Sequence, residues 1–167
     1  MVATDTPNTH EKTILLIGGL PGSGKTTLAN ILANPFDVYH RAPAFAADDY
    51  FYTSEGVYQF NPEELPAAHQ ACQARCERAM RLEEPLIIIH NTFTQHWETI
   101  PYRVLAEEYG YRLFFATLGD AGESIDTLHK RNEHGVPREA LVRMSDSECI
   151  VRMHGLDSRP PWERTDG

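Results

Sequence analysis

Residues 18–27 carry a glycine-rich pattern that is typical of loops that bind phosphate groups. From position 19 to position 26 the chain fits G-x-x-x-x-G-K-[ST]. Glycines let the backbone curl so that successive N–H groups converge on a polyphosphate, and the start of the next helix adds a partial positive charge. Lys25 is expected to reach the β and γ phosphates, and the Thr26 hydroxyl to ligate Mg²⁺. The predicted nucleotide-binding residues are Gly22, Ser23, Gly24, Lys25, Thr26 and Thr27.

Two acidic residues form a second group that could do chemistry. Asp48 and Asp49 come directly after residues 43–47, an apolar run that predicts a short strand. Open α/β sheets keep their chemistry at the carboxyl ends of their strands. The pair fits the start of a helix or turn, and it fits equally a general base that faces the γ phosphate of a nucleotide. The residues alone leave both interpretations open.

The residues that follow a strand predicted at 85–89 bear on how a metal ion would be held. Many P-loop enzymes carry an acidic residue at such a strand end, where it supports Mg²⁺. In this chain the position is taken by His90 or Asn91. We therefore expect support for the metal from Thr26, from water and from Asp48.

The segment 50–60 is rich in aromatic residues and has two interpretations. It is a loop whose rings anchor it to the core, or a hairpin that offers ring faces to a nucleobase. We expect at least half of the rings to be anchors. The aromatic residues are Tyr50, Phe51, Tyr52, Tyr58 and Phe60.

A helix is predicted from Asn61, a good N-cap followed by proline, to about residue 82. One face of this helix carries His69, Cys72 and Cys76. These side chains belong to the core or bind a metal ion, and the lack of an apparent fourth ligand favours the core. Three arginines on another part of the helix are solvated or meet a substrate phosphate. They are Arg75, Arg78 and Arg81.

Strands and helices alternate along the chain in the order typical of a parallel sheet. Strands are predicted at residues 13–17, 43–47, 85–89 and 111–118, and helices at 27–33, 61–82, 95–109 and 125–132 and from Pro137 onward. This order predicts an α/β fold with a parallel sheet of about four to five strands. The last two helices meet at a Gly-Val-Pro break and are expected to form a helical lid at residues 123–145.

The length and charge of the chain limit the classes of function. The chain has 167 residues, and we expect one domain at residues 13–155, a flexible lead-in at 1–12 and an irregular tail at 156–167. The net charge of −9 argues against a protein that coats nucleic acid, although it allows a small basic pocket for one strand end. Three cysteines suit a reducing compartment. Since no apolar run approaches the ~20 residues of a membrane span, we expect a cytoplasmic protein without membrane contact.

Four segments together resemble the polynucleotide 5′-hydroxyl kinase group of P-loop phosphotransferases, which includes phage polynucleotide kinases and zeta-toxin-like kinases. They are residues 19–27, 47–50, 89–92 and 129–137, and the similarity covers most of the chain in unbroken order. The resemblance implies the three-layer P-loop NTPase fold, ATP as the phosphoryl donor and Mg²⁺ as the metal.

The resemblance also implies roles for single residues. Asp48 would be the general base that takes the proton from the acceptor hydroxyl, and Lys25 would stabilise the transferring phosphate. Arg131 in the lid would neutralise charge as the γ-phosphoryl group moves, since the planar fork of arginine bridges two oxygens. The acceptor side would be lined by Asp49, Tyr50, Asn91 and Thr92.

Two differences from the phage enzyme bear on the acceptor. An arginine that follows its Asp-Asp-Tyr segment and grips the acceptor phosphate is replaced here by Phe51, and the second basic residue of its lid is replaced by His134. Both replacements weaken the expected grip on an ordinary DNA or RNA 5′ end. The aromatic residues of this region would suit stacking on a base.

The leading hypothesis is an ATP-dependent kinase that acts on a hydroxyl group of a nucleic acid, such as a strand's 5′ end. One alternative keeps the kinase chemistry and makes the acceptor a hydroxymethylated base such as 5-hydroxymethyluracil, a nucleoside or another small molecule. A further alternative is a non-catalytic nucleotide-binding module. Lys25, Thr26, Asp48 and Arg131 disfavour this last class, because such a module needs no base beside the γ phosphate.

Overall fold

A computed structural model describes residues 11–34, 41–118 and 123–146. The lead-in up to residue 10 and the tail predicted at 156–167 lie outside these residues, as does the domain boundary expected at residue 155. Within the described ranges, the helices lack the combination of length and hydropathy that a membrane span requires.

A parallel sheet of four strands lies at the centre of the described structure. β1 spans Thr13–Gly19, β2 Ala44–Phe45, β3 Leu86–His90 and β4 Arg112–Leu118, and their order across the sheet is β2-β3-β1-β4. β1 pairs with β3 on one side and with β4 on the other, and every pairing is parallel. The carboxyl ends of β1, β2 and β3 therefore meet at one edge of the sheet, where α/β proteins form their ligand crevice.

The two central strands are apolar without interruption because both faces of the sheet are covered by helices. One face packs against α2 (Leu65–Arg81) and α3 (Ile100–Tyr109), and the other packs against α1 (Lys25–Ala33). The first core includes Ile14, Leu16, Cys72, Met80, Ile87, Ile89 and Tyr102, and the second includes Ile17, Ala29, Ala33 and Ile88. The three-layer P-loop architecture predicted from the sequence is confirmed.

Local sequence signals set where the helices begin and end. The Asn61 side chain accepts a hydrogen bond from the Glu63 N–H group (3.1 Å), and one 3₁₀ turn precedes α2. Pro101 lies in the first turn of α3, and a 3₁₀ turn at His96–Glu98 delays the start of that helix beyond the predicted residue 95. Gly110 ends α3 in the left-handed conformation with a φ of 70°.

β2 is shorter than the strand predicted at 43–47. Ala44–Phe45 alone pairs with β3, because the chain then turns into a 3₁₀ helix at Ala47–Phe51. The acidic pair Asp48 and Asp49 lies in the first turn of this helix. The directions of the two side chains are therefore set by a helical turn. They do not point to opposite faces of the sheet, as they would in a strand.

Two helices follow β4, as the sequence predicted. α4 spans Ile125–Arg131 and α5 spans Arg138–Asp146, and the turn between them contains Gly135 in the left-handed conformation, with a φ of 67°. The two helices pack against each other. We refer to α4 and α5 as the lid helices, and their closing motion stays a prediction.

Candidate functional site

The glycine-rich loop lies between β1 and α1 and is closed by its own hydrogen bonds. The Ser23 N–H group and the Lys25 Nζ atom both donate to the Leu20 carbonyl oxygen, at 3.1 Å and 2.9 Å. Gly22 and Gly24 have φ values of 82° and 91°, which residues with a Cβ rarely adopt. Left-handed positions of this kind turn backbone N–H groups toward one side of a loop, as an anion-binding nest requires.

Two features of this loop fit a bound polyphosphate. The Ser23 hydroxyl oxygen is buried and has no hydrogen-bond partner in the described part of the chain. The first turn of α1 has neither a side-chain cap nor an acidic residue, so its N–H groups are available to an anion. All of the residues predicted to bind ATP lie in this loop or in the first turn of α1: Gly22, Ser23, Gly24, Lys25, Thr26 and Thr27.

Lys25 and Asp48 interact electrostatically although their strands are not neighbours in the sheet. Burial lowers the pKa of the Lys25 amino group to about 8, and the Asp48 carboxylate acts in the opposite direction. β3 lies between β1 and β2, so the two side chains act on each other across the carboxyl edge of the sheet. This edge therefore holds both the acid and the lysine that is predicted to bind phosphate.

The two acidic residues have different surroundings. The Asp49 carboxylate accepts a hydrogen bond from the Ala46 N–H group at 3.0 Å and forms an ion pair with Arg75 at 2.7 Å. The Asp48 carboxylate instead accepts a hydrogen bond from the Tyr58 hydroxyl at 3.3 Å. Asp49 thus holds the start of the 3₁₀ helix and the α2 arginine, while Asp48 is the member of the pair that acts on Lys25.

Asn91 and Thr92 tie the other segments of the site to the end of β3. The Asn91 side chain is 7% exposed, and its Oδ1 atom accepts a hydrogen bond from the Ala47 N–H group at 2.8 Å. The Thr92 carbonyl oxygen accepts a hydrogen bond from Gly19 at 3.2 Å. Asn91 is thus bonded to the backbone of the 3₁₀ helix that carries the acidic pair, and its expected place on the acceptor side stays a prediction.

The aromatic residues after the acidic pair divide between the two interpretations. Phe51 is 3% exposed and packs edge-on against Phe60 and Tyr58, so it anchors this part of the chain to the core. Tyr50 is 43% exposed and lies on the outer side of the Phe51 ring. Tyr58 contacts Asp48 through its hydroxyl group and packs its ring against His134 of the lid turn. Tyr52 and Phe60 are exposed to a similar extent, so the rings open to a ligand are those of Tyr50, Tyr52 and Phe60 and not that of Phe51.

The chain from residue 48 to residue 65, called the acidic segment below, contains no basic residue. It forms the 3₁₀ helix after β2, the hairpin that follows and the approach to α2. Its charged residues are Asp48, Asp49, Glu55, Glu63 and Glu64.

A cleft of about 370 Å³ opens beside the glycine-rich loop. Thr26 contributes to its wall from α1, and Asp49 and His90 contribute from the ends of β2 and β3. Burial lowers the pKa of His90, so this side chain is neutral at pH 7 and does not replace the Mg²⁺-supporting acid of other P-loop enzymes. The oxygen groups that fit a divalent ion at this edge are the Thr26 hydroxyl and the carboxylates of the acidic pair.

The lid helices contact the glycine-rich loop through backbone. A Cβ atom at Gly22 would lie 2.2 Å from the Leu128 carbonyl oxygen of α4, so only glycine fits beneath that helix. Arg131, the arginine expected to act on the γ phosphate, lies at the end of α4 and forms an ion pair with Glu123 at 2.6 Å. The Arg131 side chain is 56% exposed, and its role toward the γ phosphate stays a prediction.

Histidine, cysteine and arginine side chains of α2 contact other parts of the protein. Cys72 and Cys76 are fully buried, and burial raises the pKa of both thiols. The His69 ring lies 6.1 Å from the Trp97 ring. Within 11–34, 41–118 and 123–146, no group of His, Cys, Asp and Glu side chains has the arrangement of a metal site. Of the three arginines, Arg75 reaches the acidic pair and Arg81 pairs with Glu77.

Sequence reasoning missed Tyr58 and underestimated Arg75. The guanidinium group of Arg75 lies over the Phe45 ring at 4.4 Å while it binds Asp49. Tyr58 was one of several aromatic residues with no distinguishing neighbour in the sequence. Both contacts join segments that are distant along the chain, so no local pattern could have revealed them.

The chain is similar to known proteins both in sequence and in fold. It is 38% identical over 134 residues to human NEDD4-binding protein 2; this match covers 78% of the chain and only 7% of that much longer protein. A component of the Pnkp1/Rnl/Hen1 RNA repair complex has a similar fold, with a TM-score of 0.61 at 19% identity over 83% of this chain and 44% of that one. A gluconokinase from Sinorhizobium meliloti 1021 has a TM-score of 0.56 at 15% identity over 85% and 78% of the two chains.

A family model described as AAA domain, AAA_33, matches residues 14–148. This range includes the parallel sheet, the glycine-rich loop, the acidic pair and the lid helices. Because the match extends over most of the chain and agrees with its architecture, the chain belongs to the AAA_33 family and is a P-loop kinase-like domain.

Proposed function

We propose that this domain transfers the γ-phosphoryl group of ATP to a hydroxyl group of a nucleic acid, with the 5′-hydroxyl of a strand as the leading acceptor. The observation that supports the proposal is the shared position of Asp48, which follows β2, and the glycine-rich loop, which follows β1, at the carboxyl edge of the parallel sheet, where the Asp48 carboxylate acts on Lys25. Asp49 is engaged by Ala46 and Arg75, and this favours Asp48 as the base.

The reaction would proceed by in-line transfer. Asp48 accepts the proton of the acceptor hydroxyl, the acceptor oxygen forms a bond to the γ phosphorus, and the bond to the β–γ bridging oxygen breaks to release ADP. Lys25 holds the β and γ phosphates, and Arg131 balances the charge that spreads over the transferring group. Mg²⁺ held by Thr26 would neutralise the charge of the β and γ oxygens. The lid helices exclude water, which would otherwise accept the phosphoryl group.

The choice of acceptor depends on sequence motifs and not on the fold. The RNA repair component and the gluconokinase share the fold, so the fold alone does not favour one acceptor. The Asp-Asp-Tyr segment and the sequence at 129–137 favour the nucleic acid through their resemblance to polynucleotide kinases. Because of these motifs, we place the 5′-hydroxyl of a strand first among the candidate acceptors.

A second acceptor class is favoured by the acidic segment. The acidic segment itself offers no cation to an acceptor phosphate, and Tyr50 presents an exposed ring there. A hydroxymethylated base or a nucleoside would stack on such a ring, and its reacting group needs no cation. The proposed chemistry at Asp48 is the same for either acceptor.

Incubation with γ-labelled ATP and Mg²⁺ tests the proposal. Three acceptors are compared: a 5′-hydroxyl oligonucleotide, the same oligonucleotide with a blocked 5′ end and an internal hydroxymethyl base, and a pool of nucleosides. Label on the first acceptor supports the leading proposal, and label on the second or third alone moves the acceptor to that class. ATP binding without transfer to any of them would contradict the nucleic acid acceptor and favour either another small-molecule acceptor or a non-catalytic module.

The variants Lys25→Ala and Asp48→Asn separate catalysis from binding. Because Asp48→Asn removes the base and keeps the shape, we expect the transfer rate to fall by about 10²- to 10⁴-fold while ATP still binds. Arg131→Ala is expected to slow transfer, whereas Arg138→Ala, which removes the exposed Arg138–Asp126 pair of the same lid helices, is the matched control. Equal rates for Asp48→Asn and wild type would exclude Asp48 as the base.

A further inference from the structure

Tyr58 occupies a position between the acidic pair and the lid. Its hydroxyl group donates a hydrogen bond to Asp48 Oδ1 at 3.3 Å, and its ring lies 4.5 Å from the His134 ring at an interplanar angle of 38°. Asp48 follows β2, whereas His134 lies in the turn between α4 and α5. One side chain thus contacts both the proposed base and the lid.

Both partners of this contact are held by local hydrogen bonds. Tyr58 pairs with Tyr52 in an antiparallel bridge, and the Gln59 N–H group donates to the Phe51 carbonyl oxygen at 2.8 Å. On the lid side, the His134 N–H group donates to the Asn132 side chain at 3.0 Å. Fixed turns on the two sides make the ring contact a defined docking point for the lid.

The hydroxyl group of Tyr58 has a use that ring packing does not explain. A phenylalanine would fill the same space against His134, but it would leave Asp48 without this donor. Burial and the Asp48 carboxylate both raise the pKa of the Tyr58 hydroxyl, so the group keeps its proton and remains a donor to the carboxylate. A hydrogen bond of this kind restricts the orientation of the carboxylate that receives it.

We propose that Tyr58 is a positioning residue that orients Asp48 when His134 of the lid turn is packed against its ring. This proposal rests on the proposed function, since it concerns the base of that reaction. In the closed arrangement the ring of Tyr58 is fixed by His134 and its hydroxyl group fixes Asp48. When the lid turn moves away, the ring loses that support and the base is no longer held in one orientation. Lid closure and readiness of the base are therefore linked.

Steady-state kinetics on four variants tests this link, with the acceptor that the wild-type protein phosphorylates. Tyr58→Phe keeps the ring and removes the hydroxyl group, and His134→Ala removes the lid contact and keeps the hydroxyl group. We expect each to lower kcat by about tenfold, as the loss of a hydrogen bond to a charged group would, and to leave KM for ATP within about twofold of wild type. The double variant is expected to lose little more than either single variant, because the two changes interrupt one link.

Tyr52→Phe is the matched control. Tyr52 is a neighbouring tyrosine whose ring lies 6.3 Å from His134, and its side chain is 46% exposed. Its kcat is expected to equal that of wild type. A wild-type kcat for Tyr58→Phe, or a double variant whose losses multiply, would overturn the proposal.

The ring contact is also measured without turnover. The His134 ring protons are expected to show upfield NMR shifts caused by the Tyr58 ring, and these shifts should persist in Tyr58→Phe and disappear in Tyr58→Ala. Wild-type protein that transfers no phosphate would contradict the proposed function itself. Wild-type protein that transfers phosphate while Tyr58→Phe is unimpaired would contradict only the role of Tyr58.

Discussion

Lys25 is a largely buried cation, and its surroundings are expected to make nucleotide binding dependent on pH. Burial lowers its pKa to about 8, so above that pH the amino group is neutral before ATP binds. Bound phosphates favour the charged form and raise the pKa, so binding above pH 8 must take up a proton. We expect the affinity for ATP to fall by up to about tenfold per pH unit above pH 8 and to be insensitive to this group below it. Calorimetry in buffers of different ionisation enthalpy measures the proton uptake.

Lys25→Arg supplies the control for this pH dependence. The guanidinium group stays protonated throughout the range, so the variant should bind ATP with an affinity that changes little between pH 8 and pH 10, even if that affinity is lower. A slope in the variant equal to that of wild type would assign the pH dependence to another group.

The sequence alone could indicate which residues belong to the candidate site, but it could not assign a separate role to each of them. The sequence of the glycine-rich loop was enough to predict its geometry, since glycines and a lysine at this spacing are typical of a phosphate-binding loop. Asp48 and Asp49 are chemically identical, and only the 3₁₀ helix directs one to Lys25 and the other to Arg75. The resemblance to polynucleotide kinases implies an acceptor-side position for Asn91, but it could not predict that its side chain accepts a hydrogen bond from Ala47. The direction of a side chain just beyond a strand end depends on tertiary packing.

At the scale of the elements, α4 lies so close to the glycine-rich loop that its backbone leaves no room for a side chain at position 22 of the loop. Gly22 has a left-handed φ of 82°, and a Cβ atom there would collide with the backbone of Leu128. We expect Gly22→Ala to displace α4, to lower kcat by at least tenfold and to increase hydrogen exchange of the α4 amides. Backbone atoms cannot move aside as a flexible side chain would, so the collision is relieved by moving the whole helix.

Gly24→Ala is the matched variant for this prediction. Gly24 has a similar φ of 91°, but among the described residues other than its chain neighbours no atom lies within 4 Å of a Cβ atom placed there. Both variants introduce backbone strain into the loop, and both should weaken ATP binding. Increased exchange in α4 for Gly22→Ala alone would assign the effect to the lid contact, and equal exchange in the two variants would contradict it.

Helix and strand boundaries were predictable where a residue has one strong conformational preference. Pro101 and Gly110 set the limits of α3 because proline suits the first turn and glycine suits the left-handed end. β2 was predicted too long, since residues 46 and 47 are apolar like a strand but begin the 3₁₀ helix. There the Asp49 carboxylate accepts the Ala46 N–H group, and this local bond competes with sheet pairing.

For the whole molecule, the sequence predicted the alternation of strands and helices but not the order of the strands. Apolar runs do not state which strands are neighbours, because any parallel strand buried on both faces has the same pattern. The order β2-β3-β1-β4 is what brings the glycine-rich loop after β1 close to the acidic pair after β2. The contact between Tyr58 and His134 depends on the same three-dimensional arrangement and has no signature in the chain.

The acidic segment has a consequence for the ionic strength at which the protein works. Most proteins that hold nucleic acid release counterions from its phosphates, so their affinity falls steeply as salt increases. Here the acidic segment that contains the proposed base bears only negative charges, and the protein as a whole has a net charge of −9. Added salt screens this repulsion. We therefore expect KM for an oligonucleotide acceptor to stay constant or to decrease between about 50 and 200 mM salt, the range over which binding to phosphates usually weakens. A steep rise in KM would contradict this expectation and show that cations hold the acceptor phosphates.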